Sequence, residues 1–167
     1  MFGITLDVSN TMKKGFTLIE LLVVISIIGI LAAMVTVSFT SSQRQARDSA
    51  RKSDIKQYQT SLEAYANNHG GLFPQRPDAA GVSASSTLCT DLSMTTCPED
   101  AKNPSDGTFI YKYQSDGSAS TGTPAATKYI LWTKLENTAN YWVICSNGKV
   151  GIVAQAGFGV SGGGCPL

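Results

Sequence analysis

The sequence has few of the residues and motifs on which enzymes depend. It contains a single histidine, His69, which excludes most catalytic triads unless this residue takes part. The phosphate-binding pattern G-x-x-x-x-G-K-[ST] and the zinc-binding pattern H-E-x-x-H do not occur. We therefore expect no enzymatic activity, and we expect His69 to lie at a helix end, where the C-terminal dipole favours it.

Charged side chains are also scarce, at 15% of the residues with a formal net charge of +1. A net charge this close to zero does not predict a polyanionic partner such as a nucleic acid. A nucleic-acid surface would need basic and aromatic residues grouped together, whereas the basic residues after the first 75 positions are scattered. They are Arg76, Lys102, Lys112, Lys128, Lys134 and Lys149. A DNA- or surface-binding module therefore ranks lower than the interpretation reached below.

What the sequence does have is one long apolar run, Phe16–Phe39, which we call the apolar half of a long helix. Its 24 residues give a helix of roughly 36 Å, enough to cross about 30 Å of hydrocarbon. Glu20 is the only charged residue in the run, and an ionised side chain in hydrocarbon is costly unless it is paired. Cleavage between Gly15 and Phe16 would create a cation, the new α-amino group. We expect Glu20 to meet that group on a neighbouring copy.

The residues around this charge, K-K-G-F-T-L-I-E-L-L-V-V-I from Lys13 to Ile25, closely resemble the class III signal of type IV pilins and of the pseudopilins of type II secretion systems. The resemblance implies that a prepilin peptidase cuts after Gly15 and N-methylates Phe16. It also implies that the acid at the fifth mature position, Glu20, pairs with the terminal amine of a neighbouring subunit. Methylation keeps the positive charge of the amine, so the pair survives the modification.

The same resemblance implies a homo-oligomeric helical filament. No cofactor is expected. The precursor would wait in the bacterial cytoplasmic membrane, in contact with lipid and with the inner-membrane assembly platform, before it reaches the cell surface. The filament would support adhesion, motility or DNA uptake. In assembled members of this family a stretch near the position of Gly29 often melts, so Gly29 is a candidate point of helix flexibility.

Two other interpretations of the N-terminal segment stay open. The Gly-Gly-Leu-Phe-Pro sequence at 70–74 resembles the major pseudopilin of type II secretion, which would form a periplasmic pseudopilus, whereas the four cysteines favour a surface pilin. An ordinary secretory signal peptide cut near Ala32 and Ala33 is less favoured, because its apolar core is shorter and has no acid near its start.

Residues 40–69 are predicted to continue the helix as an amphipathic half, with apolar or small residues near the i, i+3, i+4, i+7 spacing of one face. That face consists of Ala46, Ala50, Ile55, Tyr58, Leu62, Tyr65 and Ala66. The opposite face consists of Asp48, Arg51, Lys52, Lys56, Gln59 and Glu63. We expect an i, i+4 pair of Asp48 and Lys52. The cations of this region, with Arg44 and Arg47, are expected to be solvated or to pair between subunits.

The remainder of the chain predicts an antiparallel sheet. The signals Asn67–Gly71 and Pro74 end the helix, and a turn-rich but ordered loop follows. Strands are predicted over 108–113, 128–135, 141–145 and 150–153. The pair Asn147-Gly148 indicates a tight hairpin between the last two strands. The insert 115–127 is expected to be a flexible, exposed loop.

These elements together predict an α+β, pilin-like fold. A long N-terminal helix, half transmembrane and half amphipathic, packs on an antiparallel sheet of three to four strands with disulfide-stapled loops. The predicted segments are a cleaved leader (1–15), the apolar helix (16–39), its amphipathic continuation (40–69), the loop between helix and sheet (70–107), and the sheet with a C-terminal loop (108–167).

Four cysteines follow the apolar half: Cys89, Cys97, Cys145 and Cys165. An even number after a membrane segment favours disulfides in an oxidising compartment. Three pairings are possible, and the sequence-local pairs, 89 with 97 and 145 with 165, are favoured. Zinc is less favoured, because there is no C-x-x-C pair and the single histidine is distant in the chain.

No metal site is predicted. Asp100, Asp106 and Asp116 lie in loops where carboxylates could bind calcium, a cation that takes several oxygen ligands. Their spacing matches no calcium pattern, so calcium is the weaker expectation.

Overall fold

We describe residues 15–103 and 107–167 of a computed structural model, without the side chains of residues 35–38. The chain divides into two compact units, Met1–Thr40 and Ser41–Leu167, and we call Ser41–Leu167 the head. Of the predicted leader, only Gly15 is among the described residues.

One long helix, α1, spans Leu18–Asn68 and takes in residues from both predicted helical halves. Gly29 lies inside it, at a place where a Cβ atom would meet no neighbour. Beyond its C-terminus, Gly70 and Gly71 have φ angles of +66° and +83°, and the Gly71 N–H donates to the carbonyl of Ala66 at 2.8 Å. Left-handed glycines of this kind close a helix end, as the sequence predicts.

Within the described residues the head contains seven short strands in two antiparallel sheets. They are β1 (Phe73–Pro74), β2 (Val82–Ser83), β3 (Lys112–Ser115), β4 (Pro124–Ala126), β5 (Tyr129–Lys134), β6 (Tyr141–Cys145) and β7 (Val150–Val153). The main sheet has the order β2-β3-β5-β6-β7, and β1 pairs with β4 in a second sheet. A long helix followed by antiparallel sheets confirms the α+β class.

The main sheet has more than the three to four strands predicted. The additional strand, β2, has two residues and pairs with β3 at the sheet edge, where Val82 lies opposite Tyr113. Two residues are too few to show the alternation by which strands are detected in a sequence.

The strand predicted over 108–113 begins later, at Lys112, and runs to Ser115. The residues before it contact α1 instead of a neighbouring strand. The guanidinium carbon of Arg51 lies over the ring of Phe109, 4.0 Å from the ring centre. The prediction was therefore wrong at this end. Aromatic residues are common in strands, so a local sequence pattern does not distinguish them from aromatic residues that pack on a helix.

The hairpin between β6 and β7 is confirmed, and both strands have the predicted bounds. In its turn the Cys145 N–H donates to the carbonyl of Lys149 at 2.9 Å, and Gly148 has a φ of +82°. The insert 115–127 is largely exposed but is not all loop, because Pro124–Ala126 forms β4 and pairs with β1.

The main sheet is covered on both faces, which gives the head two apolar clusters. On one face, Ile55, Tyr58 and Leu62 of α1 pack with Leu131 and Ile144 of the sheet. The other cluster consists of Ile130, Trp132, Val143 and Cys145, against which Tyr141, Val153, Phe158, Val160 and Cys165 pack. The glycine-rich C-terminal segment is therefore part of the packed structure.

Both disulfides join the sequence-local pairs favoured above. Cys89–Cys97 closes part of the loop between helix and sheet, next to a π-helical turn over Ala84–Leu88 and a short helix α2 over Cys89–Asp91. Cys145–Cys165 fastens the C-terminal segment to the end of β6.

Candidate functional site

The predicted processing and assembly residues lie at the start of α1, where Thr17 and Glu20 form a capping box. The Thr17 N–H and hydroxyl both donate to Glu20 Oε2, at 2.8 and 2.6 Å. In return the Glu20 N–H donates to Thr17 Oγ1 at 3.3 Å. This reciprocal pattern satisfies amide groups that a helix N-terminus leaves unpaired. Its sequence signature, T-x-x-E before an apolar run, is present but was not among the predicted features.

The capping box holds the Glu20 carboxylate at the first turn of α1, close in sequence to the proposed cleavage site between Gly15 and Phe16. A carboxylate offers about four acceptor positions, and Thr17 uses one of the two oxygens. Within the described residues no hydrogen bond reaches the other oxygen, Oε1. The arrangement therefore has capacity for a further donor.

The described side chains of the apolar half are exposed. Phe16 is 88% exposed and Leu22 is 58% exposed, and the other large apolar side chains described there are also exposed. Among the described residues, α1 is the one helix that is long and apolar enough to cross a membrane. A continuous apolar surface of this size requires lipid or protein to cover it.

The amphipathic half presents only part of the predicted polar face, because Lys56 and Glu63 are exposed but three other members are buried. The buried residues of α1 follow the spacing of one face and are Asp48, Arg51, Ile55, Tyr58, Gln59, Leu62 and Ala66. Ala46 and Ala50, predicted on the apolar face, are exposed. Tyr65 is half-buried. The expectation of a solvated or intersubunit role is therefore wrong for Arg51, whose side chain is fully buried.

The buried Arg51 side chain lies between carboxylates from α1 itself and from the loop before the sheet. Its Nε lies 2.5 Å from Asp100 Oδ2, and its Nη1 lies 2.7 Å from Asp48 Oδ1. A buried guanidinium is tolerated when it is paired and hydrogen-bonded in this way. Asp48 thus pairs with Arg51, while Lys52 lies over the ring of Trp142, 4.6 Å from its centre.

Glu136, in the connection between β5 and β6, extends this ionic network. It accepts two hydrogen bonds of 2.7 Å from Arg47 and one of 2.8 Å from Lys102. The Arg47 hydrogen bond, with help from Lys102, outweighs partial desolvation and lowers the pKa of Glu136 to about 2. Asp48 fixes the same connection by accepting from the backbone N–H groups of Glu136 and Asn137 at 2.7 and 2.9 Å. The network therefore joins α1 to the sheet and to the loop before it.

The acids considered for calcium serve separate local structures. Asp100 pairs with Arg51, and Asp116 accepts hydrogen bonds from the backbone of Thr127 and Lys128. Asp106 lies outside the described residues. Within the described ranges, no three metal-ligating side chains of the His, Cys, Asp and Glu types form a group.

A serine pattern typical of hydrolases, G-x-S-x-G, occurs at Gly159–Gly163. Its usual context is a sharp turn between a strand and a helix, but here it lies in the irregular segment after β7. Gly163 has a φ of +68°, and a Cβ there would come within 2.6 Å of the carbonyl oxygen of Lys128. Close backbone approach therefore accounts for this glycine. His69 is engaged elsewhere, with Nδ1 at 2.8 Å from the carbonyl oxygen of Tyr65.

Comparisons with known proteins match the N-terminal segment of the chain. The family model described as "Prokaryotic N-terminal methylation motif" matches residues 10–36. The chain is 38% identical over 79 residues to "Type IV major pilin protein PilE" of Neisseria gonorrhoeae, which is 47% of each protein. It therefore spans about half the length of that relative.

Two further relatives differ in how much of the chain they match. The "Fimbrial protein" of Neisseria meningitidis serogroup A is 37% identical over 142 residues, covering 80% of this chain and 73% of its own length. The "Type II secretion system core protein G" of Pseudomonas aeruginosa is 45% identical over 53 residues, covering 32% of this chain and 37% of its own. No solved structure matches the chain significantly. The chain belongs to the family of type IV pilins and their related pseudopilins.

Proposed function

We propose that this chain is the structural subunit of a type IV pilus. It is made as a membrane-inserted prepilin, cleaved after Gly15, N-methylated at Phe16, and polymerised through the apolar half of α1. The observation that carries the proposal is the exposed apolar half with one carboxylate, that of Glu20, held at its first turn.

The charge pair contributes more than apolar burial to the free energy that moves a subunit from the membrane into the filament. Lipid covers an apolar helix as well as protein does, so burial alone gives little net gain when such a helix leaves the membrane for a filament. Glu20 is different, because an unpaired carboxylate in hydrocarbon is costly. The α-amino group at Phe16 of a neighbouring subunit removes this cost and sets the axial register of the two helices.

Thr17 prepares Glu20 for this pairing. Its two hydrogen bonds fix the carboxylate at the N-terminal end of the helix. The remaining oxygen accepts from the new amine, which carries its charge before and after methylation. Prepilin peptidase, the membrane assembly platform and flexibility at Gly29 belong to the same proposal.

The test is a comparison of three variants of the apolar half. Glu20→Ala and Glu20→Gln should insert and be processed normally, but filament yield in the sheared surface fraction should fall at least about tenfold, a factor that needs only about 1.4 kcal/mol. Ser26→Ala is the matched control, because the Ser26 hydroxyl donates to its own helix at Val23. Normal yield from Glu20→Gln would overturn the pairing.

A secretion pseudopilus is the alternative from the same family. The match to the pseudopilin covers 32% of this chain, whereas the match to the fimbrial protein covers 80%. A pseudopilus is therefore less favoured than a pilus. Electron microscopy of sheared cells separates the two, since surface fibres containing this chain indicate a pilus and fibres confined to the periplasm indicate a pseudopilus.

A minor pilin that binds DNA is the second alternative. Cations of the head that could contact phosphate, such as Arg47 and Arg76, are paired with carboxylates. Titration with DNA at two salt concentrations tests it, because phosphate binding must weaken steeply as salt rises.

A further inference from the structure

An open groove of about 730 Å³ lies on the head, between the last turns of α1 and the loop closed by Cys89–Cys97. Its volume is in the range of ligand-binding sites. The assembly proposal makes no use of it. The lining includes Tyr65 of α1, His69 just after the end of α1, and residues 91–96 from the loop.

The charges at the groove favour a neutral ligand. Asp91 is the carboxylate in its lining, and both of its oxygens accept from the guanidinium of Arg76, at 2.9 and 2.7 Å. Lysine and arginine are absent from the described residues that line the groove. A phosphate or sulfate would therefore find no lysine or arginine in the lining, and a cationic ligand would find a carboxylate that is already neutralised.

Besides Ala64, Leu92 and Met94, the groove is lined by hydroxyls and an amide beside an aromatic wall. The rings of Tyr65 and His69 stack with centres 3.9 Å apart and planes 18° from parallel. The hydrogen bond between His69 Nδ1 and the carbonyl of Tyr65 restrains the stack. Asn68 and the hydroxyls of Thr95 and Thr96 also line the groove and can donate and accept hydrogen bonds. Sugar rings match such a surface, because they have apolar C–H faces and hydroxyl edges.

The loop that forms the opposite wall is ordered in advance. Cys89–Cys97 closes it, the Met94 N–H donates to the carbonyl of Cys89 at 3.0 Å, and Ser93 has a left-handed φ of +51°. A non-glycine residue keeps that conformation only where its surroundings enforce it. A pre-ordered wall reduces the entropy cost of binding.

We propose that this groove binds a short neutral saccharide. Binding at a single head does not depend on filament formation. Only one consequence rests on the proposed function: a pilus would repeat the groove along its length, and the repeated sites would raise avidity for a glycan-coated surface.

The experiment uses the full chain in a zwitterionic detergent without a sugar headgroup. Saturation-transfer NMR with lactose and with N,N′-diacetylchitobiose should show transfer to protons of one sugar face for at least one of these probes. Sialyllactose should bind no more tightly than lactose, because the described lining of the groove offers no lysine or arginine to its carboxylate.

Variants locate the binding. Thr95→Trp fills the groove from an exposed loop position and should weaken binding at least tenfold, as should Tyr65→Leu. Gln155→Trp, at an exposed position outside the groove, should leave binding unchanged, and equal unfolding midpoints show that the variants fold. Absence of transfer from both neutral probes, undiminished binding by Thr95→Trp, or binding of sialyllactose alone would overturn the proposal. Filament yield is measured separately, so either proposal can fail without the other.

Discussion

The two halves of α1 belong to one helix but have opposite relations to their surroundings. Leu22, in the apolar half, is 58% exposed, whereas Leu62, in the amphipathic half, is fully buried. In the head, even the charged Arg51 has partners within the same chain. The head therefore covers its own apolar residues and pairs its buried arginine, whereas the apolar half depends on lipid or on other copies.

Two arginines of α1 sharpen this comparison inside the head. Arg44 is 56% exposed and lies 3.9 Å from Glu136, whereas Arg51 is fully buried and contacts Asp48, Asp100 and Glu136. The same residue type on the same helix should thus contribute very differently to stability.

The largest effect is expected from Arg51→Met, which leaves Asp48 and Asp100 buried without their cation. Removing one partner of a buried ion pair costs about 3 to 5 kcal/mol. The matched change Arg44→Met should cost less than about 1 kcal/mol, because exposed pairs contribute little. Urea unfolding of the full chain in detergent, followed by the fluorescence of Trp132 and Trp142, measures both values. Equal costs would contradict the role of burial.

Leu62→Ala and Leu22→Ala compare the two halves directly. Leu62→Ala should lower the free energy of unfolding of the head by about 2 to 5 kcal/mol through lost burial and a cavity. Leu22→Ala should leave the unfolding of the head unchanged, because Leu22 belongs to the other compact unit and is 58% exposed. The same fluorescence measurement decides, and destabilisation of the head by Leu22→Ala would break the comparison.

Removal of the disulfides should have a slightly smaller effect. Loop-closure entropy predicts a loss of about 3 kcal/mol for Cys145→Ala with Cys165→Ala, which opens a loop with a sequence separation of 20. It predicts about 2.5 kcal/mol for Cys89→Ala with Cys97→Ala, where the separation is 8. Reversal of this order would show that local contacts, rather than loop length, determine the contribution of each disulfide.

The smallest effect concerns pH. The hydrogen bond from Arg47 lowers the pKa of Glu136 to about 2 in the folded head. The Glu136 carboxylate therefore binds a proton at a higher pH in the unfolded chain than in the folded head. The stability that Glu136 provides is present above about pH 4.5 and is lost as the pH falls towards 2. Glu136→Gln should therefore lower the Tm at pH 7 and reduce its fall between pH 4.5 and 2. Thermal unfolding across this pH range, measured for the unchanged chain and for Glu136→Gln, tests this. Parallel plots of Tm against pH for the two proteins would contradict it.

Features with a local signal could be predicted from the sequence. The apolar run with one acid, the glycines after the helix, the Asn147-Gly148 hairpin and the sequence-local disulfides each depend on neighbouring residues. The capping box of Thr17 and Glu20 is also local, so the sequence contained the information for it.

Features that depend on distant residues could not be predicted. Helical periodicity places Arg51 on the solvated face of α1. Its burial could not be predicted, because its partner Asp100 lies 49 positions away in the sequence. Arg47 meets Glu136 across 89 positions. Strands of two or three residues, such as β1, β2 and β4, form only because the chain brings their partners together. The boundary of the buried face was therefore wrong where ions, rather than apolar groups, occupy it.

The most direct test of the central claim is mass spectrometry of the N-terminus of this chain in sheared surface fibres. The account predicts that the fibres contain the chain and that it begins with N-methylated Phe16. A chain that begins near Met34, or that retains the residues before Phe16 in assembled fibres, would contradict it.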